Sequence, residues 1–114
     1  AALQAIRISG DRNGVPAILK ATQDAHPSVR IAAAEAIVEF ELRSAAPDLR
    51  AALEGFQDEA CSEIAYALGV VGDKSDAQLI CAEAARSHSV ITRRRCLLGL
   101  ARLFEAENRA YRLL

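Results

Sequence analysis

The chain has 114 residues, 52% hydrophobic and 25% charged, so it is long enough for one domain or a piece of one and too apolar for a disordered segment. Aromatic residues make up only 4%, with no tryptophan, and therefore supply little stacking surface for single-stranded nucleic acid. The net charge of −1 is unevenly placed, because residues 86–114 hold seven Arg and two Glu, whereas residues 1–85 hold seven basic and thirteen acidic residues.

Apolar residues recur at helical spacing along the whole chain, and no stretch alternates as a strand would. Residues 2–9 predict the end of a longer helix. Three units then follow, each a short helix and a longer one, over residues 14–40, 46–71 and 75–104. The short helices are expected at 14–22, 46–55 and 75–86, and the longer ones at 28–40, 58–71 and 89–104. Residues 108–114 predict the start of another short helix.

The turns between these helices carry glycine, proline and short polar residues, as in SGDRNG at 9–14, HPS at 26–28 and VGDKSD at 71–76. The segment ELRSAAP lacks glycine and marks a weaker predicted boundary. The chain contains no methionine and stops inside a predicted helix, so we expect a piece of a longer protein. No apolar run reaches the roughly 20 residues that span a bilayer.

The three units are copies of one another. Ile6, Ile37 and Leu68 align at a spacing of 31 residues, and Leu100 follows after 32. Pro16 and Pro47 fall at the same position near the start of a short helix, where proline is tolerated. On the longer helices the aligned apolar residues predict the core: Val29, Ala33, Ala36, Ile37 and Phe40, then Ala60, Ile64, Ala67, Leu68 and Val71, then Thr92, Cys96, Gly99, Leu100 and Leu103. One hairpin cannot bury such a face alone, so stacked neighbours must cover it.

The segment VPAILKATQDAHPSVRIAAAEAI at 15–37, with Asp24, Pro27, Val29-Arg30 and its alanine run, resembles a HEAT-like repeat of the short variety found in phycobilisome lyases. Weaker copies occupy residues 47–72 and 76–103. The resemblance implies an all-α fold, a right-handed α-solenoid of about three helical hairpins with partial repeats at both ends. It also implies that Asp24 and Arg30 form a structural pair. In the later copies the Arg column holds Cys61 and Arg93, and the Asp column Gly55 and Ser87.

Asp24, His26 and Arg30 lie close enough in sequence to suggest a catalytic or phosphate-binding cluster. We interpret them instead as the start of a helix, in which Asp24 accepts hydrogen bonds from Arg30 or from nearby backbone N–H groups. Ser28 is the expected N-cap of that helix. His26 stands in a turn next to proline and is expected to be solvated.

The sequence contains few residues that could bind a metal or phosphate or carry out catalysis. His26 and His88 are 62 residues apart and neither is followed by Glu, so no metal site and no iron-dependent hydroxylase is expected. GDRNG and GDKSD are turns between helices, not phosphate cradles. Cys61, Cys81 and Cys96 are odd in number and form no CxxC motif, which favours free cysteines in a reducing compartment and a cytoplasmic protein. We therefore expect no catalytic residue, no metal and no cofactor.

The longer helices carry a second stripe opposite the core, and in HEAT-like solenoids this side lines the concave surface. Its members are unusually apolar for exposed residues, which suggests a partner site. The alternative is that superhelical curvature brings these side chains against one another. The candidate contact residues are Ile31, Glu35, Val38, Ser62, Tyr66, Arg94, Leu98 and Arg102.

We expect a non-catalytic scaffold that binds another protein on this concave face, with self-association through an exposed end as a further hypothesis. One alternative, which rests on the resemblance alone, is an accessory subunit of a bilin lyase-type enzyme. The other is nucleic-acid binding through the Arg-rich last repeat, where Arg93, Arg94 and Arg95 are consecutive and arginine suits phosphate. The slight overall acidity of the chain argues against nucleic acid, and no contact with a membrane is expected.

Overall fold

The computed structural model describes residues 14–112, which form six α-helices and no β-strand. The helices are α1 (Val15–Ala21), α2 (Pro27–Phe40), α3 (Ala46–Gly55), α4 (Ala60–Val71), α5 (Ala77–Arg86) and α6 (Val90–Arg112). Short 3-10 turns at Arg43–Ala45 and Lys74–Asp76 lead into α3 and α5. The helix predicted over residues 2–9 lies outside the described residues.

Proline marks the first turn of three helices: Pro16 in α1, Pro27 in α2 and Pro47 in α3. A proline there loses no hydrogen bond, since the first helical N–H groups have no partner within the helix. The N-cap of α2 is His26, and no side chain caps that end. The prediction that Ser28 is the N-cap is therefore wrong, because Pro27 already has the backbone angle of a first helical residue.

The glycine-free boundary after α2 is made by Glu41. Its φ is 49°, in the left-handed region, and its backbone N–H donates to the carbonyl oxygens of Ile37 and Val38. Glycine is the usual residue in this conformation at a helix end. The turn thus forms without a glycine. The lack of a glycine in this segment is what made the boundary hard to predict from the sequence.

The last helix differs from its prediction. It continues without a break from Val90 to Arg112, a length of 23 residues, where the sequence suggested an end near 104 and a new short helix over 108–114. The intervening residues FEAEN contain neither glycine nor proline. Glu and Ala favour helix, so nothing local stops α6 at that point.

The helices form two layers. The longer helices pack side by side in chain order, α2 on α4 and α4 on α6, and each short helix packs on the longer helix that follows it. The structure is 19 Å thick in its smallest dimension, which corresponds to two helix layers about 10 Å apart. Three stacked hairpins, α1–α2, α3–α4 and α5–α6, therefore make an all-α solenoid, as predicted.

The core lies between the two layers and between neighbouring longer helices. The predicted core is confirmed at its centre, since Ala33, Ile37, Ile64, Leu68 and Cys96 are fully buried. Val29, Phe40 and Thr92, at the ends of the aligned sets, are only half-buried. The short helices contribute their own buried residues: Ile18, Ala21, Leu49, Ala52, Leu53 and Ile80.

Two glycines allow α4 and α6 to touch. A Cβ atom built on Gly69 would lie 2.2 Å from the carbonyl oxygen of Gly99, far inside the distance that two such atoms tolerate. A Cβ on Gly99 would in turn lie 3.1 Å from the carbonyl oxygen of Ala65. The second and third hairpins are therefore held at backbone contact, and no larger residue fits at position 69 without moving a helix.

We predict that Gly69→Ala destabilises the fold by about 2–3 kcal/mol, because the new methyl group forces α4 and α6 apart. Urea unfolding followed by circular dichroism at 222 nm measures this loss. Gly55→Ala is the matched control, since a Cβ there meets no atom within 4 Å. The control should be neutral or stabilising by up to about 1 kcal/mol. Equal effects of the two substitutions would contradict the close helix contact.

Candidate protein-binding face

The Asp24–His26–Arg30 cluster forms around the start of α2. The carboxylate of Asp24 accepts a hydrogen bond from the backbone N–H of His26 at 2.8 Å, and Nδ1 of the same histidine lies 3.1 Å from it. These two bonds, the backbone one first, lower the pKa of Asp24. The His26 side chain is 79% exposed. This carboxylate therefore serves the local turn.

Arg30 does not pair with the Asp24 side chain. Its Nε donates to the Asp24 backbone carbonyl at 2.8 Å, while its two terminal nitrogens donate to the carboxylate of Asp58 at 3.0 and 2.5 Å. Arg30 and Asp24 therefore do form a hydrogen bond, through the Asp24 backbone, but the carboxylate partner of Arg30 belongs to the next hairpin, 28 residues further on. Sequence reasoning missed Asp58, because alignment of the copies compares equivalent positions and does not show contacts between hairpins.

The Arg30 side chain is fully buried although it is charged. Its guanidinium lies 3.8 Å from the centroid of the Phe56 ring, a favourable cation–π distance. The hydrogen bond from Arg30 is the main cause of the lowered pKa of Asp58, whose side chain is 27% exposed. A buried cation needs a bonded counter-charge, so this contact joins the first and second hairpins in one orientation.

A second arginine makes the equivalent contact between short helices. Arg50 of α3 donates through Nε and a terminal nitrogen to the carboxylate of Asp76, at the start of α5. Asp76 is buried and also accepts a hydrogen bond from the backbone N–H of Asp73 at 2.9 Å. The second and third hairpins are therefore joined on the short-helix side by a bidentate ion pair.

The side of α2, α4 and α6 directed away from the short helices carries its own polar contact, which we call the Tyr66 cluster (Glu63, Tyr66, Arg95 and Arg102). The Arg95 guanidinium lies 4.4 Å from the centroid of the Tyr66 ring and donates to Glu63 at 2.6 Å. The Tyr66 hydroxyl group is the main cause of the raised pKa of Arg102, and the charges of Glu105 and Glu41 add to it. A cavity of about 240 Å³ beside this cluster is lined by residues of all three longer helices: Glu35, Val38, Glu39, Glu63, Tyr66 and Arg95.

The predicted concave stripe divides into two sets. Glu35, Arg94, Leu98 and Arg102 are exposed, and Tyr66 is half-buried but does not pack against the hydrophobic core, so part of its ring is accessible to a partner. Ser62 is 8% exposed, and Ile31 and Val38 are half-buried, the latter two packed against the core. The reason is the side-by-side packing of the longer helices, which covers the flank of each helix that faces the next one.

Four exposed residues of α6 went unpredicted as candidates: Val90, Ile91, Leu97 and Phe104. For Leu97, comparison of the aligned copies could have indicated the exposed position. Leu97 corresponds to Ala34 and Ala65, which are both buried, so the third copy places a large apolar residue at a position where the first two place a small one. These side chains extend the apolar surface of Leu98 along the last helix.

The other candidate features are metal-binding groups, reactive cysteines and membrane-spanning helices. No group of three His, Cys, Asp or Glu side chains in residues 14–112 is arranged to hold a metal ion. All three cysteines are free, and burial raises the pKa of Cys96 to about 11, which keeps that thiol protonated. Among the same residues, no helix is both long and apolar enough to cross a bilayer.

The stacked hairpins define a helical-repeat protein, and ion pairs join neighbouring hairpins: Arg30–Asp58, Arg50–Asp76 and Arg95–Glu63. The family model of HEAT repeats matches residues 1–69, more than half of the chain, and the chain therefore belongs to the HEAT repeat family. Comparisons with curated proteins and with solved structures found no match. HEAT repeats are commonly protein-interaction scaffolds.

We predict that Asp58→Asn destabilises the protein by about 2–3 kcal/mol, because it leaves the buried Arg30 guanidinium without a counter-charge. Urea unfolding at pH 7 measures the loss. Glu59→Gln removes the same charge from an exposed neighbour and should change stability by less than about 0.5 kcal/mol. A loss as small as that of the control would mean that the ion pair contributes nothing to stability.

The same ion pair predicts a pH dependence. Since the pKa of Asp58 is lower in the folded protein than in the unfolded chain, its contribution is complete above about pH 4, the ordinary range of an aspartate, and is lost as pH falls further. The difference in unfolding free energy between the native protein and Asp58→Asn should therefore shrink from pH 6 towards pH 2. A difference that stays constant over this range would contradict the assignment.

Proposed function

We propose that the protein is a non-catalytic scaffold that binds another protein on the exposed side of its longer helices. The observation that carries this proposal is the accessible surface around the Tyr66 cluster, where an aromatic ring, an apolar residue and arginines lie together. Tyr and Arg are enriched among the residues that dominate protein interfaces. Leu98, 46% exposed, adds an apolar contact beside them.

The rigidity of the surface supports the same function. Gly69 and Gly99 hold α4 and α6 at backbone contact, and the Arg30–Asp58 pair fixes the first hairpin on the second. A preformed surface loses little conformational entropy when a partner binds. Glu63 and Tyr66 hold the Arg95 side chain in place, so part of the polar contact is also preformed.

The resemblance to the lyase-type variety of HEAT repeat predicts a second role, as a bilin lyase-type subunit. Mixing the purified protein with a free bilin and recording its absorption spectrum tests that role directly. An unchanged spectrum would count against it and leave the scaffold proposal intact.

We predict that the double variant Tyr66→Ala/Leu98→Asp loses the proteins that the native chain retains in affinity purification from its source cells. Its circular dichroism spectrum should stay that of a folded helical protein, because Leu98 is exposed and the half-buried Tyr66 lies outside the hydrophobic core. The matched control is Ala51→Asp/Gln78→Ala, two exposed residues on the short helices. Mass spectrometry of the retained proteins gives the comparison. If the double variant keeps the same partners, the proposed binding face is wrong.

A further inference from the structure

The third copy of the repeat has a charged residue at a position where the first two copies have alanine. Ala21 of α1 and Ala52 of α3 are buried in the core, and Glu83 of α5 follows at the same spacing of 31 residues. The Glu83 side chain is only 7% exposed. Burial of a carboxylate is unfavourable unless its charge is compensated. A departure from the repeat pattern that the core disfavours indicates a functional constraint.

The charge of Glu83 is only partly compensated within the chain. Its Oε2 accepts a hydrogen bond from Arg86, whose side chain is 51% exposed. No donor among the described residues bonds to its other oxygen, Oε1, and that atom keeps contact with solvent. A nearly buried carboxylate therefore has one free acceptor atom.

Glu83 lines a cavity of about 540 Å³ between the second and third hairpins. The turns that lead into α4 and α6 form its walls, with polar side chains that include Asp58, Glu59, Ser62, Arg86 and Thr92. Ser62 is 8% exposed, so two polar residues of the lining are nearly buried. No member of the Tyr66 cluster contributes to this cavity, which is therefore a separate site.

The contact between the first and second hairpins shows what a carboxylate at such a place can hold. There the fully buried Arg30 donates through its guanidinium to the carboxylate of Asp58 and lies over the Phe56 ring. The second hairpin has Cys61 at the position of Arg30, so it supplies no arginine to the third hairpin at that position. The second contact thus has a nearly buried carboxylate but lacks the buried guanidinium of the first.

We infer that this cavity binds an arginine side chain of a partner protein, whose guanidinium donates to Oε1 of Glu83. Arginine suits a buried carboxylate because its planar guanidinium offers several donors and is weakly hydrated. An anion is a poorer occupant, since the carboxylates of Asp58, Glu59 and Glu83 lie along the same walls. This inference rests on the proposed scaffold function and names one chemical group of its partner.

An NMR titration of the intact chain tests the inference. The probe is N-acetyl-arginine methylamide, and its matched control is N-acetyl-citrulline methylamide, which has nearly the same shape but no charge. The arginine compound should shift the backbone amide signals of residues around the cavity in a saturable way. The citrulline compound should leave these signals unchanged at the same concentration. Added salt should weaken the binding, because opposite charges attract one another in it.

Variants assign the contact to Glu83. Glu83→Gln should weaken binding of the arginine compound at least about tenfold, since it removes a charged hydrogen-bond acceptor. Arg86→Ala should strengthen binding severalfold, because it removes the cation that competes for the same carboxylate. Glu54→Gln, at an exposed position of α3, makes the same change in charge as Glu83→Gln and should have no effect. Circular dichroism confirms that each variant is folded.

Stability separates binding from a purely structural role. Glu83→Ala restores the residue of the first two copies, so its midpoint of urea unfolding should equal or exceed that of the native chain. The same variant should fail to bind the arginine compound. A Glu83→Ala protein that unfolds at lower urea and still binds would contradict the inference.

Three further results would overturn it. They are equal shifts with the arginine and citrulline compounds, arginine binding that Glu83→Gln leaves intact, and phosphate binding at the cavity that excludes the arginine compound. If Glu83→Gln abolishes arginine binding but retains every cellular protein that the native chain retains, the ligand is a free guanidinium compound and not a partner protein. If Tyr66→Ala/Leu98→Asp loses those proteins whereas the arginine compound never binds, the scaffold function stands and only the arginine inference fails.

Discussion

The backbone contact between neighbouring longer helices is the constraint on which the rest of this structure depends. Gly69 and Gly99 bring α4 and α6 to the limit of approach, and fully buried alanines line the interfaces between hairpins. Close approach leaves little room for side chains between α4 and α6 at this point. The contact is also intolerant of added atoms, as tightly packed interiors generally are. The orientation of one hairpin relative to the next must then depend on other interactions.

Bidentate ion pairs supply that orientation. Arg30 of the first hairpin bonds to Asp58 of the second, and Arg50 of the second bonds to Asp76 of the third. One pair lies at the start of a longer helix and the other at the start of a short helix, so both layers are held. Guanidinium and carboxylate match in two parallel bonds, which gives direction as well as attraction. The result is a rigid surface on which accessible residues keep their relative positions.

The binding face depends on the same packing. Ser62 on α4 is buried and Ile31 on α2 packs against the core, while Glu35 and Leu98 are exposed and Tyr66 is half-buried. Sequence periodicity alone assigned all of them to one stripe, because it records the angle around a single helix. It does not record how wide the contact with a neighbouring helix is. The same limitation hid Leu97 on α6, which is exposed although its counterparts Ala34 and Ala65 are buried.

Much of the fold was predictable from the sequence, because a 31-residue repeat with helical periodicity can bury its apolar face only by stacking. That reasoning located all six helices of residues 14–112 and the centre of the core, including Ile37, Ile64 and Leu68. It did not predict helix ends that depend on one or a few residues. Examples are the turn formed by Glu41 and the continuation of α6 beyond residue 104. The partner of Arg30 and the division of the binding face were decided only by the tertiary structure. Both depend on which side chains of different hairpins lie within hydrogen-bonding or packing distance, and a pattern along one chain does not contain that information.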